Sequence, residues 1–228
     1  MELKIFFDIV DESLYETNTD PGSFFNHIKI HSDKFPDYKN ADIAIIGLTE
    51  DRGNIYTTGI DKAADTIRRK LYRLKKGACS YRVVDLGNLR NGIKLEDSYM
   101  RLTEVCEVLL QYNVIPVILG STHDMDYGQY LAYEKFERLI SVTNIDAILD
   151  LDSNSYHGQN MHHSHKILMH EPNYLFNFSN IGYQSFLNDP ETLEILEKLY
   201  FENFRVSPVQ RALRLKFRNY SMASRSSR

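Results

Sequence analysis

Three side chains with the chemistry of metal ligands lie where two short apolar runs of the sequence end. His123 follows the run at residues 114–119, and Asp146 and Asp150 follow the run that begins at Ile140. One neutral imidazole and two carboxylates suit a borderline-hard divalent ion such as manganese or zinc. Because such an ion lowers the pKa of a bound water and supplies hydroxide at neutral pH, this pattern indicates hydrolytic chemistry.

A plainer interpretation of the same three residues remains open. Either aspartate can cap the turn that follows its strand, and His123 can hydrogen-bond to a backbone carbonyl. Ligands bind just beyond the carboxyl ends of parallel strands, so the metal hypothesis requires that the two runs be neighbouring strands of a parallel sheet. Spacing alone does not separate the two interpretations, and the surrounding elements must be considered.

Short apolar runs alternate with amphipathic segments along the first two thirds of the chain. The run at residues 42–47 is typical of a strand covered on both faces, and strands are also predicted at residues 81–86, 114–119 and 140–147. Apolar residues spaced three and four apart predict helices between them, at residues 64–74, at 97–111 and through Tyr130 to Phe136. This alternation favours βαβ units, a parallel sheet and an α/β fold.

The predicted helices also assign buried and solvated faces. The apolar stripe of the first helix consists of Ala64, Ile67, Leu71 and Leu74. Arg68 and its basic neighbours are therefore predicted to form the solvated face of that helix. Cys106 falls on the apolar stripe of the second helix, which predicts a buried free thiol.

The pattern changes beyond Asp150. Residues 152–170 are polar and histidine-rich, and they predict a long loop. Its histidines could capture a metal, but ordering a flexible loop around an ion costs conformational entropy, so a surface loop is the simpler interpretation. The histidines considered for such a site are His157, His162, His163 and His165.

The last third of the chain contains two further predicted elements and a basic end. A strand is expected at residues 174–183, and Asp189 and Pro190 begin a helix that runs to about Phe204. From residue 205 onward the composition is basic. We therefore predict one partial α/β domain at residues 1–204 and a poorly ordered tail at residues 205–228.

Composition excludes several classes of function. The 228-residue chain has a formal net charge of −4, which gives no reason to expect a nucleic acid or an anionic membrane as partner. Its two cysteines allow no disulfide framework. The N-terminus lacks the pattern of a signal peptide, and no apolar run approaches the ~20 residues of a membrane span. A cytoplasmic setting is the expectation.

The motifs and their flanking segments together resemble the arginase, agmatinase and formimidoylglutamase superfamily of ureohydrolases. Its members end one strand with Gly-Gly-Asp-His-Ser and the next with Asp-Ala-His-x-Asp, to which residues 120–124 and 146–150 are similar. Residues 47–53 resemble the first strand and loop of the family. Residues 171–184 resemble a bacterial formimidoylglutamase-like branch, so the likeness covers most of the chain to about Arg205.

This resemblance implies a three-layer α/β/α fold with a mainly parallel sheet. It also implies hydrolysis of a linear amidine or guanidine C–N bond, in formiminoglutamate, arginine or agmatine, by hydroxide shared between two Mn²⁺ ions. His123 and Asp150 would then bind the first ion, and Asp146 would bridge both. Asn154 and Ser155 lie where family members contact the substrate.

The chain departs from the family pattern in two ways. Ile148 replaces the histidine between the two aspartates, and isoleucine has no lone pair with which to bind a metal. The family also supplies a second Asp-x-Asp pair from its C-terminal half, and no such pair follows Tyr183 on a predicted strand. The resemblance therefore implies a truncated fold that holds one Mn²⁺ or none.

Three hypotheses follow for the function. The chain is an amidine hydrolase acting on a small molecule, or it is an impaired copy that retains the scaffold and at most one metal. In the third hypothesis it is an assembly subunit that pairs through an open sheet edge, because unpaired edges promote association, including homo-oligomer formation.

Overall fold

The computed structural model describes residues 2–53, 59–78, 80–151, 163–199 and 201–206. The chain divides into two compact units, Met1–Phe136 and Glu137–Arg228. The strands are β1 (Phe7–Asp8), β2 (Lys29–Ile30), β3 (Ile43–Leu48), β4 (Val83–Leu89), β5 (Ile115–Leu119), β6 (Ile140–Ile145), β7 (Leu175–Tyr183) and β8 (Glu202–Arg205). The α-helices are α1 (Ala63–Leu71), α2 (Leu95–Gln111), α3 (Met125–Glu134), α4 (His163–Leu168) and α5 (Pro190–Lys198). Among the described residues, no helix combines the length and the apolar character that crossing a membrane requires.

The first unit contains a five-stranded sheet of mostly parallel strands. Its order is β1-β4-β3-β5, with β2 also paired to β4. β3 is parallel to both β4 and β5, whereas β1 runs antiparallel to β4. β3 is central and almost continuously buried, which explains why its sequence is apolar without alternation.

Helix α2 confirms the predicted apolar stripe. Leu102, Val105, Cys106 and Leu109 have no exposed surface and pack in the same core as the strands β3 and β4. Burial raises the pKa of the Cys106 thiol to about 12, so this free thiol stays protonated at neutral pH. The predicted burial of Cys106 is therefore confirmed.

Helix α1 and its C-terminal turn confirm the solvated face for the basic neighbours of Arg68, which are exposed, but contradict it for Arg68 itself. Arg68 is 0% exposed, whereas Ile67 and Leu74, predicted to be buried, are 42% and 59% exposed. The guanidinium of Arg68 donates to both carboxylate oxygens of Asp85 on β4, at 2.9 and 2.8 Å, and to the carbonyl of Gly87 at 2.9 Å. The prediction was wrong because a buried carboxylate on the sheet draws this charged side chain inward.

The second unit contains a three-stranded parallel sheet in the order β6-β7-β8. Its core includes Phe178 of β7 and Leu196 of α5, with Phe201 packed against them. Helix α5 begins at Pro190 as predicted but ends at Lys198, and residues 202–205 form β8. The predicted extension to Phe204 was therefore wrong, because pairing with β7 places Phe204 opposite Ile181 in the sheet.

The proposed domain boundary stays a prediction. Arg205 ends β8, and residues 207–228 of the predicted tail lie outside the described residues.

Replacing Asp85 with alanine should lower the free energy of unfolding by about 3–5 kcal/mol, because the Arg68 charge then remains buried without its carboxylate partner. Chemical denaturation measures this loss. The matched control is Asp42→Ala, which removes a partly exposed ion pair with Arg82 and should change stability only slightly. Equal losses in the two variants would contradict the assignment.

Candidate functional site

The loop that carries His123 leaves β5 through two residues of left-handed backbone. Gly120 has φ 84° and Ser121 has φ 78°. A Cβ at position 120 would lie 2.8 Å from the backbone nitrogen of Ala64, so this close approach requires glycine. The Ser121 hydroxyl donates to the carbonyl of Glu50 at 2.8 Å and ties the loop to the end of β3. His123 is exposed and lies just before helix α3.

Asp124 fastens the other side of the same loop. Its buried carboxylate accepts a hydrogen bond from the Tyr99 hydroxyl of α2. Burial and this hydrogen bond raise the pKa of Tyr99, which keeps the hydroxyl protonated as a donor. A Cβ at Gly53 would lie 2.1 Å from Oδ1 of Asp124, so the loop after β3 packs directly against this carboxylate.

Glu50 joins the strand-end loops of the first unit. Its carboxylate, 1% exposed, accepts from Nε of Arg52 at 2.7 Å and from the Ser98 hydroxyl at 2.6 Å. Arg52 also donates to the carbonyls of Gly92 and Ile93, at 3.0 and 2.7 Å. No sequence signal pointed to this role of Glu50, because an acidic and a basic residue two positions apart are common in exposed loops.

The charge of Glu50 depends on these donors. Burial of the carboxylate acts to raise its pKa, but hydrogen bonds from Arg52 and Ser98 act in the opposite direction and prevail, so the pKa of Glu50 lies below its ordinary value of 4.5. The ionised network is therefore the stable state of these loops near neutral pH.

The stabilising effect of Glu50 should consequently depend on pH. A lowered folded-state pKa contributes stability that is fully present above 4.5 and is lost as the pH falls through the folded value. The difference in unfolding free energy between wild type and Glu50→Gln, measured by denaturation from about pH 7 to about pH 3, should be largest near neutrality and shrink on acidification. A difference that grows on acidification would refute this account.

In the second unit, Asp146 and Asp150 lie in the loop that follows β6. Oδ1 of Asp146 accepts from the backbone N–H of Ile148 at 3.0 Å, so this side chain makes the turn contact of the plainer interpretation. A carboxylate has about four lone-pair positions, and one such bond is compatible with metal coordination. The side chain of Ile148 is half-buried and offers no ligand atom.

Asn188 holds this loop through its backbone. Its Oδ1 accepts from the N–H of Leu149 at 2.8 Å, and its Nδ2 donates to the carbonyls of Ala147 at 3.0 Å and Gln184 at 2.8 Å. The amide thus pairs with the loop as another strand would. No sequence signal pointed to Asn188, because its partners Ala147 and Leu149 lie 41 and 39 residues away in the chain.

Removal of the Asn188 amide should loosen the loop that carries the two aspartates. We expect Asn188→Ala to lower the unfolding free energy by about 1–3 kcal/mol, because buried backbone groups lose their partners. Hydrogen exchange at the Leu149 amide should become faster. The control is Asn177→Ala, which removes one side-chain hydrogen bond to the hydroxyl of Ser179 on the same strand. This variant should leave the exchange rate of the Leu149 amide unchanged.

Asp150 is the most enclosed of the three predicted ligands. It is 8% exposed and adopts a left-handed backbone with φ 50°. Its Oδ2 lies 3.6 Å from Nδ1 of His163, which is 2% exposed, and its carbonyl accepts from the N–H of His165 at 3.3 Å. Two histidines of the predicted loop therefore contact a candidate ligand.

The predicted site residues fall into three groups. His123 belongs to the first unit, and Asp146 and Asp150 belong to the second. The predicted substrate contacts Asn154 and Ser155, together with His157 and His162, lie outside the described residues. All three predicted metal ligands follow strand ends, where ligands of parallel sheets bind.

Comparison with known proteins provides the family context. The sequence profile of the arginase family matches residues 41–216. A formimidoylglutamase of Clostridium tetani is 30% identical over 122 residues, which are 47% of this chain and 35% of the relative. A formimidoylglutamase of Streptococcus gordonii is 25% identical over 191 residues, 79% of this chain and 57% of the relative. The chain therefore spans between about a third and somewhat more than half of these relatives.

A solved structure supports the fold. The crystal structure of Trypanosoma cruzi formiminoglutamase with Mn²⁺ aligns at a TM-score of 0.69 and 18% identity, covering 77% of this chain and 63% of that one. At this identity the likeness shows the fold alone. The α/β class and mainly parallel sheet that the resemblance implied are confirmed.

Proposed function

The chain belongs to the arginase family, and we propose that it is a metal-dependent hydrolase of linear amidine or guanidine C–N bonds. Formiminoglutamate is the preferred substrate class in this proposal, ahead of arginine and agmatine, because the curated relatives described above are formimidoylglutamases. The observation that carries the proposal is the donor set of His123, Asp146 and Asp150, each placed just after a strand within the matched region.

The donor chemistry fits one divalent ion. We propose that His123 and Asp150 bind one Mn²⁺ together with Asp146, because an imidazole and two carboxylates are its usual protein ligands. When bound, such an ion supplies hydroxide for attack on an amidine carbon. The donor set does not fit a second ion, because Ile148 contributes only hydrocarbon at the position where the family has a histidine.

The residues of this chain have defined tasks around that ion. Ser121 and Asp124 hold the loop that presents His123, through their bonds to Glu50 and Tyr99. Asn188 holds the loop that presents Asp146 and Asp150. We assign substrate contact to Asn154 and Ser155, a small-molecule amidine as the partner, and a cytoplasmic location.

An impaired homologue is the second candidate function. Ile148 favours it, because isoleucine removes a ligand that a second ion would need, and a second ion would supply additional positive charge to stabilise the reaction. In this case the chain retains the scaffold and at most one metal, and it turns over no amidine.

Metal titration and turnover separate the two candidates. We expect the metal-stripped chain to bind about one Mn²⁺, by calorimetry and electron paramagnetic resonance, and His123→Ala to abolish this binding. Formiminoglutamate, arginine and agmatine are then tested as substrates. Metal-dependent release of product supports the hydrolase, whereas tight binding of one ion without turnover of any of the three supports the impaired homologue.

Position 148 provides an independent test of the ligand set. Ile148→His should raise the stoichiometry toward about two Mn²⁺ per chain, because it restores an imidazole between the two aspartates. Ile148→Val is the matched control and should leave the stoichiometry unchanged. Two tightly bound ions in the wild type would contradict the single-ion proposal.

A further inference from the structure

We propose that His163 is a positioning residue for Asp150, whose imidazole presents an N–H to the carboxylate and holds it in the orientation that binds the metal. The inference rests on the proposed function, because Asp150 is one of the proposed ligands. The contacts that carry it lie wholly within the second unit.

The first observation is the enclosed approach of the two side chains. Nδ1 of His163 lies 3.6 Å from Oδ2 of Asp150, and the two residues are 2% and 8% exposed. This separation is longer than a direct hydrogen bond. Because the surrounding protein screens less than water, the N–H dipole of a neutral imidazole at this distance attracts the carboxylate.

The second observation is that the backbone of Asp150 is held by the same short helix. The N–H of His165 donates to the carbonyl of Asp150 at 3.3 Å. Asp150 has φ 50°, a conformation that non-glycine residues adopt only rarely. The first turn of α4 therefore contacts both the main chain and the side chain of the proposed ligand, which leaves the carboxylate few alternative orientations.

The third observation concerns which ring nitrogen carries the hydrogen. Nε2 of His163 lies 3.4 Å from the buried hydroxyl of Ser164, and Nδ2 of Asn144 donates to that hydroxyl oxygen at 3.3 Å. With its oxygen accepting from Asn144, the hydroxyl of Ser164 can donate its own hydrogen to Nε2. A neutral imidazole that accepts at Nε2 carries its hydrogen on Nδ1, the nitrogen that faces Asp150.

Together these contacts place the side chains of Asn144, Ser164 and His163 in a line that leads to the carboxylate of Asp150. Partners of this kind orient metal ligands, and their loss typically weakens metal binding 10–100-fold. In the sequence, His163 and His165 are candidates for a metal site of their own, with a surface loop as the favoured interpretation. The structure instead gives His163 a side-chain contact with Asp150 and gives His165 a backbone contact.

Mn²⁺ titration of matched variants tests the role. His163→Leu should weaken binding about 10–100-fold. His163→Asn should restore most of it, because its amide places an N–H near the position of Nδ1. His165→Leu is the control and should bind as the wild type does, since it retains the backbone donor. Unchanged affinity in His163→Leu, or equal losses in the Leu and Asn variants, would overturn the proposal.

A metal-free measurement keeps the inference separate from the proposed function. Ring ¹⁵N resonances of His163 in the apo chain should show the Nδ1–H tautomer, and Asp150→Asn and Ser164→Ala should each shift them. If the wild type binds no Mn²⁺, the proposed function fails and these spectra still decide the role of His163. An Nε2–H tautomer, or resonances indifferent to Asp150→Asn, would reject it.

Discussion

The architecture of the first unit depends on the buried ion pair between Arg68 and Asp85. Neither side chain has exposed surface, and a charge without water is stable only when an opposite charge and hydrogen bonds replace its hydration. The pair joins α1 to β4. It also contributes to the need for Gly47 on β3, because a Cβ there would lie 2.0 Å from Oδ1 of Asn88 and 2.5 Å from the guanidinium of Arg68.

Buried polar side chains play a corresponding role at the strand ends of each unit. In the first unit, Glu50 and Arg52 join their own loop to Ser98 of helix α2 and to the loop at Gly92. In the second unit, the amide of Asn188 pairs with the loop after β6. In both places a buried side chain supplies hydrogen-bond partners to backbone or charged groups that would otherwise be buried without them. These hydrogen bonds hold the loops, and with them the candidate ligands, in defined positions.

The replacement of a family histidine by Ile148 affects the fold and the metal site differently. The scaffold tolerates the replacement of a ligand by Ile148, because strands and loops are held by contacts elsewhere in the fold. Binding of a metal ion is more sensitive to this replacement, because each ion is held by a small number of ligand lone pairs. A fold can therefore be retained where the capacity for two ions is reduced.

Prediction from the sequence succeeded where the signal was local. The apolar run of β3, the stripe of α2 and the start of α5 at Pro190 follow from burial and capping within a few residues. It failed for Arg68, whose helical spacing indicated a solvated face. The carboxylate that draws this side chain inward lies 17 residues away on β4, and no periodicity contains that information.

The same distinction applies to the candidate site. Residue type and strand ends predicted His123, Asp146 and Asp150 as candidate ligands, because the capacity to coordinate a metal is a property of the side chains themselves, and their role as ligands stays a prediction. The supports of these residues emerged only from the folded chain: Tyr99 for the loop of His123, Asn188 for the backbone after β6, and His163 for Asp150. Each support joins residues distant in sequence, and such pairs become neighbours only when burial and backbone hydrogen bonding bring their elements together.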